Sequence, residues 1–478
     1  MRYLVNLLIA CCLMCITHAQ ANQKPNIVML VVDDLGWRDL GYNQSNANIF
    51  ETPNIDKLAQ QSALFTQAYA GAANCAPSRA VLMSGQYGPR HGIYTVSPSD
   101  RGSKYARRIK ATKNLNTLPD AVITLAETLK TADYTTGSFG KWHLGEDAKT
   151  QGFDVNVAGY QKGHPSSYFS PYNLKHLIDG PDGEYLTDRI TSEAINWIKA
   201  QKEQPFFAYI PYYTVHTPLQ AEPDMLAKYL NKKGIINKQQ ATYAAMVELM
   251  DKNVGRILTA LKTLGLADNT LFIFTSDNGG IRSISAQDPL RAGKGSYYEG
   301  GIRVPLLMFW PGKIAPQQID EPVINADFYP TLVSLTRAEK PSQVLDGIDL
   351  MPRLLNQHPL PERALFWHFP IYLQAYNPAA DQGQDPMFRT RPGSAMRFGD
   401  WKLIHYFETN EYELYNLHTD LSEHVNLATI LPDKLAHMKN MLRQWQIQVG
   451  APIPSDKNPD FDLNKAKEWI NQQFYKKN

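Results

Sequence analysis

The chain has 478 residues, of which 20% are charged and 11% aromatic, with 48 Lys and Arg against 46 Asp and Glu for a formal charge of +2. That length holds one large and one smaller domain, each with its own core. The composition excludes a disordered chain, and the near-neutral balance gives no global field to attract nucleic acid.

Residues 1–19 open with Arg2, continue as an apolar run over 3–16 broken by Asn6, and end in Thr17-His18-Ala19. A basic start, a short apolar stretch and small residues at the end describe a secretory signal peptide. The run is too short to span a bilayer comfortably. The expectation is an exported protein, periplasmic or secreted, cleaved after Ala19 or Ala21 and not stably inserted in a membrane. A competing reading takes Leu8-Ile9-Ala10-Cys11 as a lipoprotein box that would leave a lipid anchor at Cys11. It ranks lower, because only ten residues precede that cysteine. Cys11, Cys12 and Cys15 fall in the leader, so Cys75 is the single cysteine of the mature chain. Without disulfides an exported protein relies on its core, and a lone thiol is open to oxidation. A buried inert cysteine is the plain alternative.

Residues 26–32 are a continuous apolar and β-branched run, as expected of a central parallel strand covered on both faces. Asp33-Asp34 end it, at the place where open α/β sheets hold their ligands; metal ligands and turn-forming aspartates are both open readings. Thr52 and Pro53 suit the start of a helix, expected over residues 52–67. In Cys75-Ala76-Pro77-Ser78-Arg79, continuing to Gly85, Pro77 suits the first position of a short helix and Gly85 its end. Cys75 should then face free N–H groups and a positive dipole, with Arg79 adding a fixed positive fork. Residues 101–113 collect Arg101, Lys104, Arg107, Arg108, Lys110 and Lys113 without an acid, either a solvated face or a cationic rim for a polyanion.

A helix over 122–130 and a strand over 134–139 lead to Gly140-Lys141-Trp142-His143, where Lys141 and His143 on an extended tip would point the same way. Residues 187–199 read as an amphipathic helix and 206–210 as a buried strand, followed by His216 on a Pro-bounded loop. A long helix is expected over 240–263. The apolar strand 271–276 then delivers Asp277-Asn278, repeating the logic of the first strand. Arg291 and Lys294 precede a strand at 304–309. Residues 354–361 are a polar, Pro-containing junction, which divides the chain into 20–355 and a C-terminal subdomain of 356–478. The latter reads as short antiparallel strands with a helix at 432–447. Residues 451–478 read as a polar tail.

Taken together, Asp33-Asp34, Cys75-Ala76-Pro77-Ser78-Arg79, Gly140 to Gly145, Val215-His216-Thr217-Pro218, Asp277-Asn278 and Lys294 to Gly301 resemble, in the same order, the type I formylglycine-dependent sulfatases of the alkaline phosphatase superfamily. The resemblance implies an α/β fold with a large mixed, mostly parallel sheet sandwiched by helices, plus a smaller C-terminal α+β domain with an antiparallel sheet. It implies that Cys75 is converted to formylglycine by a formylglycine-generating enzyme, and that the hydrate is both metal ligand and nucleophile. Asp33, Asp34, Asp277 and Asn278, with residue 75, would bind Ca²⁺, with Mg²⁺ as the other option, since hard oxygen ligands without a soft partner disfavour zinc. Arg79, Lys141 and Lys294 would draw charge onto the sulfuryl oxygens. Asp277 would take a proton from the attacking hydroxyl, His216 with Lys294 would protonate the leaving oxygen, and His143 would assist release of sulfate.

The substrate expected is a sulfated carbohydrate, with 4-sulfated galactose units of a carrageenan-type galactan favoured by resemblance to bacterial polysaccharide sulfatases. His368, Tyr372, Arg389, Arg391 and Arg397 are candidate pocket residues, against the alternative of core aromatics and surface arginines. Two rival readings are a phosphate or phosphonate ester hydrolase of the same superfamily and a non-catalytic glycan-binding relative.

Overall fold

The computed structural model describes residues 24–43 and 49–475. The leader and its three cysteines lie outside the described residues. In chain order the strands of the larger sheet are β1 (Asn26–Val32), β2 (Ala63–Tyr69), β3 (Thr135–Phe139), β4 (Val155–Val157), β5 (Phe206–Pro211), β6 (Thr270–Ser276), β7 (Arg303–Phe309), β8 (Gln317–Ile319) and β9 (Val323–Ile324). Their spatial order is β4-β3-β5-β1-β6-β7-β2-β8, with β9 also on β2. From β4 to β6 all neighbours are parallel; β7 alone runs against β6 and β2.

Every residue of β1 is buried, because helices cover both faces of the sheet. Side chains of a strand alternate between faces. Val28, Leu30 and Val32 therefore join one core with Ile190, Ala194, Met246, Met250 and Val254 of the Leu186–Ala200 and Lys238–Thr263 helices. Ile27, Met29 and Val31 join the opposite core with Ala80, Met83, Leu129 and Leu332. The long helix packs as its apolar spacing requires, and its methionines are core.

Two expectations change. Residues 52–67 are not one helix: Pro53–Ala59 is helical, and Ala63–Tyr69 is strand β2, paired with β7 and β8. The described part of the expected polar tail, residues 451–475, is more than a tail. Lys457 bridges to Ile109, and Asp462 caps the helix Leu463–Ile470, whose Ala466 packs with Ala106, Ile109, Tyr372 and Phe388. This strap engages two members of the basic run: Lys104 pairs with Asp460 at 3.3 Å and the Arg108 guanidinium lies 4.8 Å above the Phe461 ring. Arg107 pairs with Asp100 at 2.8 Å.

The second sheet is formed from β10 (Ala364–Phe369), β13 (Gly393–Phe398), β14 (Trp401–Tyr406) and β15 (Glu411–Asn416), all antiparallel, while β11 (Leu373–Gln374) pairs with β12 (Phe388–Thr390). Met438, Leu442 and Trp445 of the Pro432–Gln448 helix pack against it. A buried ion cluster fixes this sheet to the larger one. Lys402 Nζ lies 2.9 Å from Glu299 Oε1 and 2.8 Å from Glu423 Oε1, and all three side chains are fully buried. The Glu299 N–H donates to Glu423 Oε2 at 2.6 Å and the Tyr69 hydroxyl donates to Glu299 Oε2 at 2.7 Å.

Removing the single ammonium would leave two buried carboxylates facing each other. Lys402→Met is expected to cost about 3–5 kcal/mol at neutral pH, measured by urea unfolding. Burial, opposed by Lys402 and reinforced by Glu299, raises Glu423 to about 7 from an ordinary 4.5. The folded state thus holds the extra proton between those values, and this group's contribution to stability falls as pH rises through that window.

Candidate active site

Strand direction gathers the site. The carboxyl ends of β1, β3, β5 and β6 share one edge of the sheet; β2, antiparallel to β7, ends there too, and β7 begins there. Asp33, Cys75, Lys141, His216, Asp277 and Lys294 follow or precede these ends, so segments far apart in sequence meet in one place. The Cys75–Ser84 helix begins at Cys75 itself after an extended Asn74 that makes no side-chain cap, and closes on Gly85 at φ 66°. Pro77 is third in the helix rather than first, still within the turn whose N–H groups have no helical acceptor. Every residue of that helix is buried.

The carboxylates are matched one by one with cations. Asp33 Oδ2 accepts from Lys141 Nζ at 2.7 Å and Asp34 Oδ2 from Lys294 Nζ at 2.6 Å. Asp277 Oδ2 accepts from Arg79 Nε at 2.9 Å, with Nη2 at 2.8 Å. Arg79 Nη1 also donates to the Lys141 carbonyl at 2.8 Å, which braces the guanidinium against the backbone of the neighbouring cation. His216 Nε2 stands 3.6 Å from Asp34 Oδ2 while its Nδ1 meets the Thr217 carbonyl at 2.8 Å. Asp34 and His143 both sit at positive φ, 63° and 64°. Such backbone is uncommon for side chains other than Gly, Asn and Asp and is tolerated where surrounding contacts fix it.

Charge at the site is unevenly shared. Burial, with Asp277 and Cys75 close by, pushes Asp33 above the usual carboxylate range despite Lys141. Burial acts the same way on Asp34 and Asp277, but Lys294 and His216 outweigh it at Asp34, and Arg79 and Lys141 at Asp277, so both are held down. The Cys75 thiol is lowered to about 6, since Lys141 and Lys294 overcome the burial that would raise it. Burial together with Lys141 and Arg79 drives His143 well below an ordinary histidine. His216 moves up, because Asp33, Asp34 and the Cys75 hydrogen bond outweigh burial and Lys294.

Two acceptor oxygens, Asp33 Oδ1 and Asn278 Oδ1, are buried without a hydrogen-bond partner. Buried polar atoms are paired as a rule, so an orphaned pair marks a place where a further group is expected. Asn278 Nδ2 donates to Asp34 Oδ1 at 2.8 Å, which leaves Oδ1 as its one uncommitted atom. Ligand atoms of Asp33, Asp34, Cys75 and His216 lie within 4.8 Å of one another, and the Asp34 N–H brings Asp277 Oδ1 to 3.2 Å. Carboxylates and an amide oxygen in excess over nitrogen and sulfur fit a hard divalent cation.

Cys75 forms the floor of a cavity of about 460 Å³. Its walls include Asn74, Thr95, Arg101, Asn116, Gln161, Lys162, His164, Tyr376 and Arg389, together with His143, His216 and Lys294. Of the five proposed pocket residues, Arg389 lines this cavity and four do not. His368 is enclosed, with Nδ1 at 2.7 Å from Ser394 Oγ and Nε2 at 3.0 Å from the Pro452 carbonyl, and burial holds it down near 3. Tyr372 is fully buried, its hydroxyl shared with Glu408 and the Ile109 N–H. Arg391 is consumed by Asp385 and Glu408, and Arg397 by Tyr69, Gln67 and the Gly399 carbonyl. Gln161, Lys162 and His164, missed in the sequence, come from the long loop between β4 and the Leu186–Ala200 helix. The His164 ring stacks parallel to His216 at 6.2 Å, and Gly163 lies so close to His143 that a Cβ there would be 2.3 Å from Cε1.

A family model described as Sulfatase matches residues 25–338, and one described as N-sulphoglucosamine sulphohydrolase, C-terminal, matches 293–448. A sulfatase of Formosa agariphila is 36% identical, covering 91% of each chain. The human N-acetylgalactosamine-6-sulfatase is 33% identical over 73% of this chain and 69% of its own. Among solved structures, that of Ps i-CgsB superposes with a TM-score of 0.73 at 30% identity, covering 94% of this chain and 98% of that one.

If the buried oxygens hold a divalent cation, adding Ca²⁺ or Mg²⁺ to chelator-treated protein should stabilise it by about 2.7 kcal/mol at a hundredfold excess over the dissociation constant. Asn278→Leu should lose most of that gain in a thermal-unfolding titration. An equal gain in wild type and variant would place the cation elsewhere.

Proposed function

The chain belongs to the sulfatase family of sulfuric ester hydrolases, and we propose that it removes the 4-sulfate from galactose units of a carrageenan-type galactan, with Cys75 matured to formylglycine and Ca²⁺ as the bound ion. Sulfate-ester hydrolysis follows from the family, and a carbohydrate substrate is supported by the likeness to N-acetylgalactosamine-6-sulfatases. The galactan reading is supported by the likeness to Ps i-CgsB, whose structure is also known in complex with k-i-k-neocarrahexaose and superposes at a TM-score of 0.72. Export through the leader and maturation by a formylglycine-generating enzyme belong to the same reading. Among the described residues no helix is long and apolar enough to cross a membrane.

The observation that carries the proposal is the setting of residue 75. It sits between three buried carboxylates beneath it and a cavity wall that contains Arg101, Lys162, Lys294 and Arg389 but, among the described residues, no Asp or Glu. Such a wall admits a sulfate and repels nothing about it.

Asp33, Asp34, Asp277 and Asn278 would hold the cation, which supplies Lewis-acid polarisation of the sulfuryl group. Formylglycine at position 75 supplies a hydrated aldehyde with two hydroxyls, one to attack and one to drive release. The remaining work falls to the side chains. Lys141 and Lys294, fixed by Asp33 and Asp34, present preorganised positive charge to the sulfuryl oxygens. Arg79 holds Asp277 in place, and Asp277 takes the proton of the attacking hydroxyl. His216 lines the cavity, with Nδ1 committed to the Thr217 carbonyl and Nε2 3.6 Å from Asp34 Oδ2, and it would protonate the leaving sugar oxygen with Lys294 beside it. His143 Nδ1 has no hydrogen-bond partner, so it is available to accept a proton when sulfate departs.

Cys75→Ala should retain the native thermal midpoint and lose aryl sulfate turnover by at least about 10⁴-fold, as removal of a nucleophile does. A panel of aryl sulfates, aryl phosphates and defined sulfated oligosaccharides tests the rest. Faster turnover of phosphate esters would replace sulfatase by phosphoesterase, and release from the 6-position instead of the 4-position would replace the sugar assignment.

A further inference from the structure

Arg101, on a loop, and Arg389, on β12, line the cavity and are left without a carboxylate. Among the described residues no carboxylate oxygen lies within ion-pair distance of either guanidinium, whereas Arg79, Arg107, Arg391 and Lys294 each have one. Arg101 is held only by neutral oxygens: Nη2 donates to the Val96 carbonyl at 2.8 Å and to Thr95 Oγ1 at 3.4 Å, and its Nε is buried without a partner. Arg389 donates from Nε to the Gln374 carbonyl at 2.9 Å and from Nη1 to the Lys294 carbonyl at 3.0 Å, and its guanidinium lies 3.4 Å from the centroid of the Tyr376 ring. Asp381 feels the Arg389 charge without forming an ion pair with it and is occupied by the Tyr376 and Asn377 N–H groups. Two guanidiniums that repel each other across a concave surface are stable only where an anion or water screens them. The Arg101 guanidinium is lowered by burial and by Arg389, which is that repulsion expressed.

Arg101 also differs from the rest of its basic run. Lys104, Arg107 and Arg108 are taken up by Asp460, Asp100 and Phe461, while Arg101 turns into the wall of the cavity that Cys75 floors. Lys294, which lines the cavity with Cys75, is already matched by Asp34 and shares the Arg389 contact through its backbone. Besides Lys162, whose Nζ donates to Ser166 Oγ at 3.1 Å, Arg101 and Arg389 are therefore the cations of the cavity wall that have no carboxylate among the described residues.

We propose that Arg101 and Arg389 form a second anion subsite, so that the substrate is a glycan carrying another anionic group, a sulfate ester or a carboxylate, beside the sulfate that is hydrolysed. This rests on the sulfatase reading and narrows it: substrate charge pattern, and not sugar identity alone, sets the specificity. Tyr376 gives the Arg389 guanidinium a flat backing, which presents its edge to a planar or tetrahedral oxyanion.

The test compares three sulfated oligosaccharides of one backbone: one sulfate per disaccharide, two sulfates per disaccharide, and one sulfate with a neighbouring uronate. Turnover of an aryl sulfate by the unaltered enzyme first establishes sulfatase activity, so that failure there strikes the broader reading alone. Wild-type enzyme should prefer a doubly anionic glycan over the singly sulfated one, and the preference should shrink as salt rises. Which doubly anionic substrate is preferred identifies sulfate or carboxylate as the second group. Arg101→Gln and Arg389→Gln should each cut the ratio of kcat/KM for the doubly over the singly anionic substrate by about 10-fold, mainly through KM, and Arg101→Lys should restore part of it. A wild-type enzyme without this preference, or variants with native thermal midpoints and an unchanged ratio, would overturn the proposal.

Discussion

Everything at this site depends on keeping three carboxylates buried together at one end of a parallel sheet. Like charges at that spacing repel strongly in a medium of low dielectric, and the fold answers by assigning Lys141 to Asp33, Lys294 to Asp34 and Arg79 to Asp277. The match is not complete. Asp33 remains pushed up, and the unpartnered oxygens of Asp33 and Asn278 point to a further positive charge that the side chains do not supply. Cation binding and catalytic preorganisation thus have one physical source, since the same ammonium groups that neutralise the carboxylates are positioned to meet an incoming sulfate.

Topology makes this geometrically possible. A parallel sheet brings several chain segments to a common edge without long excursions, and the antiparallel β7 lets β2 finish and the Lys294 loop begin at that same edge. The smaller sheet is locked against this arrangement by the Lys402 cluster, which attaches to Glu299 only five residues beyond Lys294. Packing of the C-terminal unit and alignment of the Lys294 loop are therefore mechanically linked.

The strand ends were readable in the sequence because a continuous apolar run that stops at paired polar residues fits a buried strand emerging at a sheet edge, and residues 26–34 and 271–278 both have that form. Cys75 was readable from its flanking residues, and its helix forms where expected although Pro77 is third in it. Residues 63–69 were not, since their strand character comes from pairing with β7 and β8 and not from local pattern. The arginines show the limit most directly. Arg389, Arg391 and Arg397 are indistinguishable by composition, yet Asp385 and Glu408 capture one, Tyr69 and Gln67 another, and only Arg389 reaches the cavity. The deciding partners are mostly remote in sequence, so tertiary structure sorts them. Residues 457–470 have the same lesson, because their bridge and helix pack against residues 104–111.

The cavity has a floor made where a helix starts beside strand termini and walls made mostly of loops, and the two parts answer to different demands. Loops tolerate exchange of residues and length far more readily than the buried edge of a sheet. In a lineage of such enzymes the walls can drift toward new glycans while the floor is retained, and a designer can follow the same division by grafting recognition loops onto an unaltered base. Gly163 marks the point where that freedom stops: it belongs to a wall loop but rests on the His143 ring, and any side chain placed there would displace that ring.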